Sequence, residues 1–156
     1  MKFNLALRNL LIVLFGALVL SACSTTKKGD LSGDVYTGTE TIEYLAKGVP
    51  DRVFFATNKS SLTTAARDTL RKQATWLRKN KDISVTVEGH ADERGTREYN
   101  LALGEQRATA VRDYLVIQGI DADRIKVISY GKEKPAVVGS NTMAWSKNRR
   151  AVTIID

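Results

Sequence analysis

The sequence predicts a two-layer α/β sandwich: a mixed four-stranded sheet with helices on one face, in the order β-α-β-α-β-α-β. Three observations predict it. Apolar residues recur at spacings of three and four in two long segments, Thr63 to Lys79 and Leu101 to Leu115. They alternate or cluster over short stretches between and after those segments. Glycines or a proline stand at the junctions. A period of 3.6 marks a helix with one buried face, and a period of two marks a strand with one buried face. Strands that alternate with amphipathic helices pack as layers around one core.

Each element follows in chain order. Val53-Phe54-Phe55 is a short, fully apolar strand just after Pro50. Leu62, Ala66, Leu70, Ala74 and Leu77 define the core stripe of the first helix. Ile83, Val85 and Val87 alternate with Ser84, Thr86 and Glu88, which predicts a half-buried strand. Leu101, Gly104, Ala108, Val111 and Leu115 define the second long helix, and Gly119 supplies the left-handed residue that ends it. Ile125 to Tyr130 is a third strand, Ser146 to Arg149 a helical turn, and Ala151 to Ile155 the last strand.

The residues before this domain read as an address and a tether. Lys2 and Arg8 precede an apolar stretch from Leu10 to Leu20, which ends in Leu20-Ser21-Ala22-Cys23. About 20 residues are needed to span a bilayer. A basic start, a short apolar segment and small residues before a cut instead predict a secretory signal over residues 1–22. Leu-Ser-Ala-Cys resembles a lipobox, which makes Cys23 the lipidated new N-terminus. Cys23 is the only cysteine, so it has no internal disulfide partner. Several acyl chains are a firm anchor where one is marginal. Ser24 after the cysteine resembles the outer-membrane sorting choice in lipoproteins of enteric-type bacteria. Residues 23–48 are rich in Ser, Thr, Lys, Gly and Asp, and such a stretch buries too little to offset its ordering entropy. They are expected to form a flexible tether, roughly 25–30 Å across on average, with Ile42, Tyr44 and Leu45 in a short turn against the domain, and residues 49–156 the domain.

The formal net charge is +7, and loss of Lys2 and Arg8 with the leader lowers it to +5. The cations are scattered rather than interleaved with aromatics, which argues against a nucleic-acid surface. The charge suits an anionic polymer, an acidic partner or simple solubility.

The chemistry concentrates in Gly89-His90-Ala91-Asp92-Glu93-Arg94-Gly95-Thr96-Arg97-Glu98-Tyr99-Asn100. This run leaves a strand, loops, and enters a helix that Thr96 is placed to cap. Such loops are favoured ligand sites because rigid elements position them. At 100° per residue, Asn100, Leu103, Arg107 and Tyr114 fall within about a 60° arc at the edge of the core stripe. A guanidinium there can grip a carboxylate bidentately, and Asp92 can take an ammonium. Together they would select a ligand carrying both groups on one carbon. From spacing alone, the pair reads first as a structural salt bridge that pins loop to helix.

Other residues invite plainer readings. His90 is the single histidine and lacks a metal-type spacing to other ligands, so it is expected to be a hydrogen-bonded structural residue, with no metal bound. Glu88, Asp92 and Glu93 are acids without an accompanying nucleophile or metal set, which argues against an enzyme. Arg149 and Arg150 precede the last strand, either in internal ion pairs or facing a partner. Trp76 and Trp145 read as core edges. Tyr130 and Lys132 are placed near the site or a partner surface.

Four blocks, GHADERGTREYN, the following N-x-x-L-x-x-x-R-A-x-x-V-x-x-Y-L, SYGKEKPAV at Ser129 to Val137 and SKNRRAV at Ser146 to Val152, together resemble the OmpA-like family of cell-wall-binding domains. The resemblance covers the whole domain and implies an OmpA-like sandwich. It implies that Asp92 and Arg107 bind the ammonium and carboxylate of diaminopimelate in the peptide stem of peptidoglycan, with Arg94, Thr96, Asn100 and Leu103 lining or supporting the site. The family's first-strand end usually reads Phe-Asp-Lys; here it is Thr57-Asn58-Lys59, so backbone donors of Thr57 and Asn58 are expected to serve instead. Arg97 stands where a proline is usual. The resemblance further implies an outer-membrane lipoprotein with its domain in the periplasm, no cofactor, and partners in the Tol system, TolB first, with other outer-membrane proteins besides.

Overall fold

The computed structural model describes residues 44–156. The expected leader, the lipidation site at Cys23 and most of the expected tether lie outside the described residues. The elements are β1 (Tyr44–Ala46), β2 (Val49–Pro50), β3 (Arg52–Phe54), α1 (Thr64–Lys79), β4 (Val85–His90), α2 (Arg97–Ile117), a single 3₁₀ turn (Ala122–Arg124), β5 (Ile125–Gly131), α3 (Thr142–Asn148) and β6 (Arg150–Ile155).

The four-stranded sheet has the order β3-β6-β4-β5. β6 lies between β3 and β4 and is antiparallel to both, with Val53 opposite Ala151 and Val87 opposite Thr153. β4 and β5 are parallel and joined by α2, with Val87 opposite Val127. The mixed sheet and the order of strands and helices are those expected.

The core lies between the sheet and α1 and α2. Val85 and Val87 of β4 and Phe55 after β3 meet Leu70 and Leu77 of α1 and Leu115 of α2, all fully enclosed. One polar chain crosses this layer: Thr153 Oγ1 donates to Gln73 Oε1 at 2.9 Å, and Gln73 Nε2 donates to the Pro50 carbonyl at 2.7 Å. Each buried polar group is thereby satisfied, as burial requires. α2 also sits unusually close to the sheet. A Cβ added at Gly89 would lie 1.8 Å from the Gly104 carbonyl oxygen, and one added at Gly104 would lie 2.4 Å from Ser129 Oγ. Two glycines that face each other set this distance, and Ser129 Oγ donates to the Leu101 carbonyl at 2.6 Å beside them.

Differences from expectation lie at element ends. Residues 44–48, assigned by composition to the tether, form β1 and the turn of a hairpin, with Tyr44 opposite Pro50. Three apolar or aromatic residues among polar ones are enough to pair when a neighbouring sheet is at hand. α2 begins at Arg97, directly after the expected cap: Thr96 Oγ1 accepts from the Tyr99 amide at 3.2 Å. It ends in a Schellman arrangement: the Ile120 amide donates to the Leu115 carbonyl and the Gly119 amide to the Val116 carbonyl, with Gly119 at φ +87°. α3 begins at Thr142, four residues before the expected turn, because Asn141 caps it.

Candidate ligand-binding site

The end of β4, the loop 91–96 and the first turns of α2 meet the turn after β3. That turn is closed by the Lys59 amide donating to the Ala56 carbonyl at 3.2 Å, with Asn58 in the left-handed region at φ +53°. Asparagine tolerates that conformation better than most residues.

Asp92 is 6% exposed. Arg94 grips it on both oxygens: Nε donates to Oδ1 at 2.9 Å and Nη2 to Oδ2 at 2.7 Å, while the Arg94 amide donates to Oδ1 at 3.1 Å. Arg149 Nη1 approaches Oδ2 at 3.4 Å from beneath. Burial alone would raise the Asp92 pKa, but the hydrogen bonds and charge of Arg94, with Arg149, hold it below the usual carboxylate value. The group is therefore an anion with cations on two sides.

Arg107 is fully buried. Its guanidinium donates to three backbone carbonyls: Nε to Lys59 at 2.9 Å, Nη1 to His90 at 2.8 Å and Nη2 to Ala56 at 3.1 Å. It lies 5.3 Å from the centre of the Phe55 ring. Arg107 thus ties the turn after β3 to the end of β4, and its charge sits under the floor of the site. Arg149 plays a matching part on the other side, with Nε donating to the Phe55 carbonyl at 3.0 Å.

The remaining expected residues divide. Asn100 is buried and its Nδ2 donates to the Arg94 carbonyl at 2.9 Å, so it shapes the loop. Thr57 Oγ1 is 3.4 Å from Arg94 Nη2, which brings the β3 turn to the same edge. Thr96 caps α2, and Leu103 packs in its second turn at 7% exposure. Asn58 holds the turn through its backbone conformation.

Three residues read as core edges or left undecided in the sequence belong to this rim. Arg94 stacks on Trp145, 4.2 Å from its ring centre, and Trp145 Nε1 donates to Glu93 Oε1 at 3.0 Å. Lys132 Nζ donates to the Gly95 carbonyl at 2.7 Å. Arg149 forms an internal ion pair with Asp92, the first of its two open readings. None of these contacts had a local signal, because each joins segments about 40 to 60 positions apart.

His90 corrects one expectation. It is buried and stacks on Tyr130 at 5.6 Å, but neither ring nitrogen makes a hydrogen bond; Nε2 lies 3.5 Å from Glu88 Oε2, beyond good geometry. Burial first, then the charges of Arg150, Lys134 and Arg52, push its pKa down to about 3. The ring is neutral and serves packing. Among the described residues no cluster of three His, Cys, Asp or Glu groups offers a metal site.

The sequence pattern of the OmpA family matches residues 54–149. The chain is similar to the peptidoglycan-associated lipoprotein of Agrobacterium fabrum (strain C58), at 47% identity over 148 residues, 89% of this chain and 82% of that one. It is 44% identical over 160 residues to the peptidoglycan-associated lipoprotein of Rhizobium meliloti (strain 1021), covering 97% and 90% of the two chains. Among solved structures, the peptidoglycan-associated lipoprotein from Burkholderia pseudomallei superposes with a TM-score of 0.67 at 36% identity, over 68% of this chain and 90% of that one.

Proposed function

The chain belongs to the OmpA family, within the group of peptidoglycan-associated lipoproteins, and from that premise we propose that it holds the outer membrane to peptidoglycan by binding the zwitterionic centre of diaminopimelate at Asp92. It acts as a binding protein, without turnover. Acyl chains on Cys23 hold one layer and the site at Asp92 holds the other, with the domain in the periplasm. Each wall contact is single, and many copies on two extended surfaces add by avidity. The chain's place is in the Tol–Pal system, with TolB as partner.

The observation that carries this reading is the buried carboxylate flanked by cations. Asp92 offers an ammonium a charge-assisted acceptor. The cationic floor formed by Arg107 and Arg149 favours the carboxylate on the same carbon. Arg107 contributes through its charge and by fixing the carbonyls of Ala56, Lys59 and His90, which position the Thr57 and Asn58 backbone. Arg94 occupies both Asp92 oxygens, so an incoming ammonium displaces or shares with it. Its side chain is 42% exposed and can swing outward.

The test is co-sedimentation of the chain with purified sacculi, with free diaminopimelate as competitor. Wild-type binding should be competed away. Asp92→Asn keeps the shape and removes the charge, and it should lose the competed binding while remaining folded by circular dichroism. Retention of competed binding by folded Asp92→Asn would refute this site. A pull-down of TolB by the purified chain tests the partner separately.

A further inference from the structure

We propose that the outer face of α1 docks on an anionic phospholipid surface and orients the domain against the membrane that carries it. Between Arg67 and Asp82 six cations stand against two acids. All six cations are exposed. They account for more than half of the excess positive charge of the chain, so the cations are not evenly spread as composition implies. The site around Asp92 uses none of them.

The middle of this face is a groove of about 690 Å³ between α1 and the β1–β2 turn, lined by Arg71, Lys72, Thr75, Trp76 and Lys79 on the helix and Val49 on the hairpin. Asp68 also borders it but is ion-paired with Arg71. Lys47 adds a further exposed cation in the turn beside Gly48. Trp76 is partly buried, with its inner side against the core and its edge in the groove. Cations around an amphipathic ring are the composition that settles at a bilayer interface. Each Lys or Arg close to an anionic surface gains about as much as one weak hydrogen bond, and the gain fades beyond a Debye length.

Two features favour a membrane over an acidic protein. Twenty residues separate Cys23 from Tyr44. If Cys23 is lipidated, as the proposed function holds, twenty residues cannot carry the domain more than about 70 Å from the bilayer, where even a weak surface is populated. The second feature is polarity. α1 and α2 end together, since Arg78 Nη1 donates to the Gln118 carbonyl at 2.5 Å. α2 starts at the Asp92 loop and runs 21 residues, or about 30 Å. The basic stripe therefore runs away from the wall site, and both surfaces can be engaged at once. Asp82, Asp121 and Asp123 dilute the charge at the far tip, which confines the proposed contact to the groove around Lys72, Trp76 and Lys79.

The test removes the lipid, so that it reads the face alone. The chain from residue 23 with Cys23→Ser, confirmed folded by circular dichroism, is floated with vesicles of phosphatidylcholine or of phosphatidylcholine with 30% phosphatidylglycerol. Binding to the anionic vesicles only is expected, lost in high salt and at least tenfold weaker in Lys72→Glu/Lys79→Glu. Lys126→Glu/Arg112→Glu carries the same change in net charge and should float as the parent does. Equal floating with both vesicles, no floating with either, or equal weakening in the two double variants would overturn the proposal. The Lys72→Glu/Lys79→Glu chain should sediment with sacculi as the parent does; a loss there would assign the face to the wall instead. Palmitate labelling of the full chain tests the anchor independently, so failure of that reading is distinguishable from failure of the groove.

Discussion

At the scale of single residues, the site is a balance of buried charge, and the balance makes sharp predictions. Asp92 faces Arg94 and Arg149, and breaking a buried pair from one side leaves an uncompensated charge. Its folded-state pKa is depressed, so its contribution to stability is present above the unfolded value near 4 and is lost as the pH falls through the lower folded value. Asp92→Asn should therefore flatten the stability profile below about pH 4, read by urea midpoints. His90 acts in a different window. Its folded pKa of about 3 lies below the ordinary 6.5, so protonation favours the unfolded chain. Stability should be complete above about pH 6.5 and decline as the pH falls toward 3, by roughly 2 kcal/mol between pH 7 and pH 5. The charges of Arg150, Lys134 and Arg52 oppose protonation, while the Lys134 backbone favours it; Glu88 Oε2 lies 3.5 Å from Nε2. In His90→Phe the difference between urea midpoints at pH 7 and pH 5 should shrink; an unchanged difference would place that acid sensitivity elsewhere. Arg94 yields a third prediction. If it holds the place of the ligand's ammonium, Arg94→Ala should bind free diaminopimelate more tightly by several-fold in calorimetry, since the ligand no longer has to dislodge it. Weaker binding would mean that Arg94 itself contacts the ligand.

At the scale of elements, the long helix α2 is the beam that carries the site, and the facing glycines set its height. Gly104→Ala improves helix propensity by about 1 kcal/mol, yet its Cβ would meet Ser129 Oγ at 2.4 Å and the Gly89 carbonyl oxygen at 2.8 Å. The helix must lift, and overpacking of this kind typically costs about 1–3 kcal/mol. The net effect should be a lower melting temperature together with weaker sacculus binding, because lifting α2 moves Arg107 off the three carbonyls it holds. Gly119→Ala offers the contrast. Nothing lies within 4 Å of an added Cβ there, but φ is +87°, so stability should fall by about 1 kcal/mol with binding unchanged. The elements themselves were legible because their signals are local. Thr96 was readable as a cap and Gly119 as a terminator from their own neighbourhoods. What sequence could not show was the start of α3, which depends on Asn141 within a polar stretch, and the pairing of β1 with β2, of which only a short turn at Tyr44 and Leu45 against the domain was legible. In the site, Asp92 and Arg107 stood out by spacing and resemblance. Lys132 was placed near the site without its contact, and Arg149 and Trp145 did not stand out, because long-range packing alone brings them to the loop.

At the scale of the whole molecule, the proposed function demands two separable attachments, one at Cys23 and one at the Asp92 loop. The wall site is built from rigid elements, with Arg107 and Arg149 locking the ends of β3 and β4, so its geometry does not depend on the anchor. The anchor lies outside the described residues, and among those residues no helix is long and apolar enough to cross a membrane. The proposed function puts membrane association on Cys23 and wall association on the Asp92 loop. Changing one should leave the other intact. Cys23→Ser should release the chain from the membrane fraction of cells while purified protein still sediments with sacculi in a diaminopimelate-sensitive way. Asp92→Asn should stay with the membrane fraction and lose the sacculus. Either single variant should weaken the envelope as much as the double variant does, since a tether cut at one end is no tether; leakage of a periplasmic reporter into the medium measures this. Clearly additive leakage would show that the two ends serve different tasks, and that anchoring by one chain between two layers is not how the protein works.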